Sequence, residues 1–240
     1  MEYPRFKGTL SSEYDDLKLV VPHYNEMQET LVKIASEYFK SRKSKLLEVG
    51  MGTGVSTKAI LDNVNNVYVV SIDNENQMVQ QAKRKLANYV KREIVELIEE
   101  DALKFLKKQD SDSYDGFFSA YTLHNFDQRY REKFLEELTR VLRPGAFFVN
   151  SDKYAHDNPI KQKEELKWQL NEFLKFDEIG KPELRKEWSD HIIADEHEDL
   201  IMRQGKSINL MKNLGYENIR MIFREHMEAT LACEKSHKNL

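Results

Sequence analysis

Apolar residues recur at helical spacing between positions 25 and 40, where Met27, Leu31, Ile34, Ala35 and Tyr38 fall near one face. From there short apolar runs alternate with amphipathic stretches. Residues 45–49 read as a buried strand, 56–63 as a helix, 67–72 as a second strand and 75–90 as a helix. Strands at 94–99, 114–120 and 146–150 follow, with a helix over 128–142. Arg143-Pro144-Gly145 is expected to stop that helix, because proline cannot extend it and glycine tolerates the reversal. Residues 158–213 are charged and helical in pattern. Two last strand candidates, 219–223 and 229–233, flank the polar stretch Arg224-Glu225-His226, as a hairpin requires. The expected fold is α/β: a doubly wound, mostly parallel seven-stranded sheet with a terminal antiparallel hairpin and a helical insertion. The expected organisation is one domain over 1–240, with an N-terminal helical lid (1–44), a core (45–155), the insertion (156–213) and the hairpin (214–240).

Composition narrows the possibilities. With 40% hydrophobic residues the 240-residue chain can bury a substantial core. Its apolar runs are strand-sized, far short of a bilayer span, and MEYPRFKGTL lacks the pattern of a secretory signal. Cys233 is the single cysteine, which excludes an internal disulfide, a multi-cysteine zinc site and a three-cysteine iron–sulfur motif. A cytoplasmic location is therefore expected. The formal net charge of -4 argues against direct nucleic-acid binding, and the basic cluster Lys40, Arg42, Lys43 and Lys45 reads as a solvated helix end.

The strongest motif is LLEVGMGTGVST, Leu46 to Thr57, in which a strand runs into Gly50-Met51-Gly52-Thr53-Gly54 and a helix follows. Glycines at such a turn let the backbone approach a ligand closely, since no Cβ stands in the way. Asp73 ends the second strand twenty-three residues beyond Gly50. A carboxylate there can accept both hydrogen bonds from the hydroxyls of an adenosine ribose. A dinucleotide-binding turn would need glycine at position 55, which is Val55. Glu48 adds a carboxylate two residues before Gly50, which suits a ligand carrying an ammonium and a sulfonium better than one carrying two phosphates. The alternative is a glycine-rich turn with no ligand; Asp73 and Glu48 at these offsets weigh against it. Asp101-Ala102 follows the third strand, where an acid and an amide could read an adenine, or the acid could simply cap a helix.

Together Glu48-Val49-Gly50-Met51-Gly52-Thr53-Gly54, Asp73, Asp101-Ala102 and Leu142-Arg143-Pro144-Gly145 resemble the class I S-adenosylmethionine-dependent methyltransferases, over roughly residues 46–154. Within them the chain is most similar to the carboxy-S-adenosylmethionine synthases of tRNA wobble-uridine modification and their methyltransferase relatives. Val21-Pro22-His23-Tyr24 resembles that family's V-P-x-Y, residues 72–78 (IDNENQM, ending in Met78) its I-D-N-S-x-x-M, and Tyr121-Thr122-Leu123 its F-T-L. The resemblance implies S-adenosyl-L-methionine as cofactor, contacted by Tyr24, Gly50, Met51, Gly52, Asp73, Asn74, Asp101 and Ala102, and it implies a homodimer. The chain departs from the family at two positions. Ala120 stands where the family has an asparagine before F-T-L, and Leu210 where it has an arginine five residues before the last glycine turn. Both family residues help hold the extra carboxylate of carboxy-S-adenosylmethionine, which alanine and leucine cannot pair with.

Methyl transfer is an in-line displacement, so the chemistry asks for alignment and, where the acceptor must lose a proton, a base. Tyr121 and His124 occupy the loop after the fourth strand, beside the crevice expected at the carboxyl ends of the sheet. His124 is the candidate base, with a hydrogen-bonded loop histidine as the alternative. Asp152-Lys153-Tyr154 could line an acceptor pocket or be solvated. The run from His191 to Glu198 contains metal-ligand residue types without H-E-x-x-H spacing and reads as a solvated helix, so no metal site is expected. Cys233 reads as a core residue. No cysteine stands in the fourth-strand motif and no N-P-P-Y or D-P-P-Y tetrapeptide occurs, which points to a small-molecule methyl acceptor rather than a nucleic-acid base. A carboxy-S-adenosylmethionine synthase using prephenate and a non-catalytic binding module are the rival readings.

Overall fold

The computed structural model describes residues 14–39 and 43–237. The signal-peptide reading at residues 1–10 and the basic positions Lys40 and Arg42 lie outside them. Seven strands form one sheet: β1 (Ser44–Val49), β2 (Val67–Asp73), β3 (Val95–Glu99), β4 (Tyr114–Ala120), β5 (Leu142–Lys153), β6 (Tyr216–Glu225) and β7 (Glu228–Lys235). Their order is β3-β2-β1-β4-β5-β7-β6. The pairs among β1 to β5 are parallel, and β7 runs antiparallel to both β5 and β6. The hairpin is longer than expected, and its turn is His226-Met227 rather than Arg224-Glu225-His226.

Both faces of the sheet are covered, as continuous apolar strands require. One face packs Leu47, Val49, Val70, Ile72, Phe117 and Phe148 against α5 (Ala102–Leu106) and α6 (Gln128–Val141). The other packs Leu46, Val69, Phe118 and Val149 beneath α1 (Tyr24–Phe39) and α2 (Val55–Asn63). Leu31, Ala35 and Phe39 of α1 recur every four residues and are buried in that layer. Most of α1 therefore covers the sheet, and its first residue, Tyr24, stacks on Tyr121 after β4. After β2 the single expected helix is two, α3 (Asn76–Lys85) and α4 (Ala87–Lys91), separated at the fully buried Leu86.

Arg143-Pro144-Gly145, expected as a turn, lies inside β5. Leu142 already pairs with Tyr114, and the register shifts between Tyr114 and Gly116. A bulge there accommodates a proline without a ladder donor, and Gly145 takes a φ of 75°. The insertion comprises α7 (Pro159–Glu172), α8 (Lys175–Glu178), α9 (Pro182–Ala194) and α10 (Gln204–Asn213). Phe173, Phe176, Leu184, Trp188 and Ile192 from this region form a third apolar cluster with Val20, Val21, Met27 and Tyr121. That cluster roofs the carboxyl edge of β4 and β5.

Candidate active site

The strand order reverses between β1 and β4, so the loops after those strands diverge and leave a crevice. Gly50 and Met51 donate their amides to Ile72 O at 2.8 and 3.2 Å, which folds the loop back over the end of β2. Gly50 has a φ of 74°, and a Cβ on it would fall 1.9 Å from Thr122 Oγ1. Gly52 has a φ of 52°, and a Cβ on it would meet nothing within 4 Å. The loop is thus closed on its Gly50 side and open at Gly52. Gly54 precedes α2 and rests on Ala82 and Leu86.

Asp73 Oδ2 accepts from the Gly52 amide at 2.8 Å and Oδ1 from the Glu75 amide at 2.9 Å. Burial pushes its carboxyl above the usual range, partly offset by these backbone donors. Asn74 is exposed beside it, and Met78 is buried in the first turn of α3. The Met51 side chain packs with Val79, Ala82 and Leu86. Asp101 caps α5 through Lys104 N at 2.8 Å and accepts from Tyr130 Oη at 2.8 Å, with Ala102 behind it 7% exposed. Tyr130, which sequence reasoning passed over, also accepts from Leu103 N at 3.0 Å. Ala120 ends β4, half-buried and opposite Ser151.

Glu48 is held by the protein through one of its two carboxylate oxygens. Strand alternation puts it on the Leu46 face, beneath α2, where it is fully buried. Its Oε2 accepts from Thr57 at 2.6 Å and from Ser71, and burial raises its carboxyl pKa to about 7 against those two bonds. Oε2 thereby braces α2 to the sheet, while Oε1 is buried without a hydrogen-bond partner among the described residues.

The two expected catalytic residues are brought together with others that sequence reasoning separated. Tyr121 takes a φ of 50°, a conformation that side chains with a Cβ adopt rarely. Its ring stacks on Tyr24, with centroids 5.6 Å apart and planes at 7°. His124 lies in the turn Leu123–Asn125, and its Nδ1 is 2.5 Å from Asp152 Oδ1. Asp152 is wholly buried; it also accepts from the amides of Leu123 and Lys153 at 2.8 Å and from Asn150 Nδ2 at 3.2 Å. A carboxylate held this way keeps the proton of a neutral imidazole on Nδ1 and leaves the Nε2 lone pair outward. Arg131 secures the same loop by donating to the carbonyls of Leu123, Phe126 and Leu200 at 2.6–2.9 Å.

Beyond Nε2 lies a cavity of about 30 Å³, lined in part by Tyr121, His124, Lys153, Gln169, Trp188 and Asp195. Asp195 Oδ2 is 3.3 Å from Lys153 Nζ, 3.8 Å from His191 Nε2 and 3.9 Å from His124 Nε2. The reading of residues 191–198 as a solvated helix is corrected here. His191 and Asp195 have side chains 7% and 6% exposed, whereas His197 and Glu198 are 70% and 79% exposed. The missed signal is the four-residue spacing from His191 to Asp195, which puts both on one helix face. His124, His191 and Asp195 bring three ligating atoms within 4.8 Å of one another, and Lys153 supplies positive charge at that point. Lys153 is 8% exposed, so of its two readings it lines the pocket; Cys233 is buried in the core, as expected.

Residues 46–145 match the family described as "Methyltransferase domain". With the fold, this makes residues 46–145 a methyltransferase domain within a methyltransferase-type α/β sheet. The chain is similar over 233 residues, at 23% identity, to the carboxy-S-adenosyl-L-methionine synthase of Nautilia profundicola, which covers 96% of this chain and 94% of that protein. The structure of a SAM-dependent methyltransferase from Aquifex aeolicus superposes with a TM-score of 0.58 at 19% identity, over 93% of this chain and 96% of that one. The CurJ carbon methyltransferase superposes with a TM-score of 0.69 at 15% identity, over 94% of this chain and 58% of that one. These two structures establish the fold.

S-adenosylmethionine is the cofactor, and the crevice fits it. The open side of Gly52 leaves room for a ligand against the backbone, and the Asp73 carboxylate stands at that opening. Asp73→Ala is expected to weaken S-adenosylmethionine binding at least about tenfold, from the loss of a charge-assisted contact worth about 1.5–3 kcal/mol. Isothermal calorimetry checks this, and unchanged affinity would remove Asp73 from the site. No helix among the described residues is long and apolar enough to cross a membrane.

Proposed function

We propose that this chain methylates a small-molecule acceptor whose reacting group reaches the cavity beside His124, with the His124–Asp152 pair as its general base. When bound, S-adenosylmethionine supplies an electrophilic methyl group. The observation that carries the reading is the buried pair itself: Asp152 anchors Nδ1 at 2.5 Å, and Nε2 is turned to the cavity. That arrangement fixes the ring and leaves Nε2 as the nitrogen that can take a proton from an acceptor. Tyr24 and Tyr121, stacked between the first turn of α1 and the β4 loop, are assigned to closing the crevice over the donor. Tyr24, the glycine loop, Asp73, Asn74, Asp101 and Ala102 are the assigned cofactor contacts. A cytoplasmic location accompanies this reading.

The rival synthase reading requires cations for a carboxylated cofactor and for a dicarboxylate substrate. Ala120 packs against the sheet core and Leu210 against the layer under α10, so neither supplies one. Lys153 is engaged by Asp195 at 3.3 Å, and the Arg131 guanidinium is spent on backbone carbonyls. The protein is expected to bind S-adenosylmethionine at least about tenfold more tightly than the carboxylated form, because an unpaired buried carboxylate is costly. Competition calorimetry with the two ligands tests this. Tighter binding of the carboxylated form would overturn the methyltransferase reading in favour of the synthase.

A further inference from the structure

We propose that the acceptor is an amine that presents its group to this cavity in the ammonium form. The inference rests on the cavity beside His124 being the acceptor site and names the chemistry that site selects. Three features point the same way. Asp195 and Glu228, 5% and 2% exposed, both line the cavity, together with one lysine, Lys153, and two imidazoles, His124 and His191. Asp195 is paired with Lys153 at 3.3 Å, so the two carboxylates exceed the one ammonium by a charge that a cationic ligand offsets and an anionic one worsens.

Gln169 also lines the cavity, and its Oε1 is buried without a hydrogen-bond donor among the described residues. A buried amide oxygen in that position calls for a ligand N–H or O–H. The third feature is the aromatic wall. Tyr121, Phe173 and Trp188 border the same space, and the Phe173 and Trp188 rings meet at 58° with centroids 6.4 Å apart. Ring faces attract ammonium groups and repel carboxylates. Burial raises the Glu228 carboxyl above its ordinary range, a penalty that an incoming cation relieves.

The step balances without another reactant. His124 Nε2 takes one proton from the ammonium and gives a neutral amine, with the imidazolium hydrogen-bonded to Asp152. The amine nitrogen then forms the N–C bond to the methyl carbon as the C–S bond breaks, its electron pair remaining on sulfur. The product is the methylated ammonium, and the imidazolium later returns its proton to solvent.

The test supplies methyl-deuterated S-adenosylmethionine, the wild-type protein and a small-molecule extract of the cells that encode it, and locates the label by mass spectrometry. The expected product carries the label on nitrogen. Label on oxygen or carbon would overturn the amine assignment and leave the methyltransferase reading standing. Calorimetric cofactor binding with no labelled product would overturn that reading too. Asp195→Asn is expected to raise KM for the labelled amine at least about tenfold while cofactor affinity by calorimetry stays within about twofold. An unchanged KM would overturn the assignment of Asp195 to ammonium recognition.

Discussion

Gly52→Val is expected to abolish measurable S-adenosylmethionine binding and leave the protein folded. The native φ of 52° and the empty space at the Cβ position together make this the most exposed inner surface of the glycine loop. A valine there projects three carbons into the space a ligand must fill. It also takes a left-handed conformation that costs on the order of 1–2 kcal/mol for a residue with a Cβ. For a chain of this size that cost lowers Tm by roughly 2–8 °C, which thermal unfolding by circular dichroism resolves. Calorimetry should register no heat of binding. A folded variant that binds normally would mean that the cofactor lies elsewhere. The contrast with Gly50 is instructive, because a Cβ there strikes Thr122 within the protein itself, so a substitution would mix misfolding with lost binding.

The second large effect belongs to His124. His124→Ala is expected to lower kcat by about 10²–10⁴, the usual contribution of a positioned general base. Cofactor affinity should stay within about twofold, since the imidazole is not among the assigned cofactor contacts. The substitution leaves a polar gap beside Asp152, and added imidazole should restore part of the rate. The measurement uses the acceptor identified by labelled transfer. A kcat within threefold of wild type would reduce His124 to a loop-positioning residue.

The structure bears out the sheet, down to the strand count and the antiparallel end, because strand periodicity and turn residues are local properties. The Gly50–Gly54 loop and Asp73 were legible for the same reason: a strand end, a tight turn and a second strand end recur at short, regular offsets. Glu48 is near in sequence to Gly50, but the sequence does not show what holds its carboxylate. The pleat turns every second side chain to the opposite face, and this one went beneath α2 to Thr57 and Ser71. Leu86 and the Arg143-Pro144-Gly145 segment were misjudged, since packing and a bulge overrode local preference.

The chain read in order thus yields the α/β alternation, the glycine loop with its acid partner, and the candidacy of Tyr121 and His124. It does not yield the pairing of His124 with Asp152, twenty-eight residues further on. Nor does it yield the meeting of both with Lys153, His191, Asp195 and Gln169 around one small cavity. Those contacts span the sheet edge and the helical insertion, so no periodicity records them. They form because the apolar faces of α7 and α9 must be buried against Val21, Tyr121 and their neighbours, and that burial carries the polar residues of the same helices inward with it.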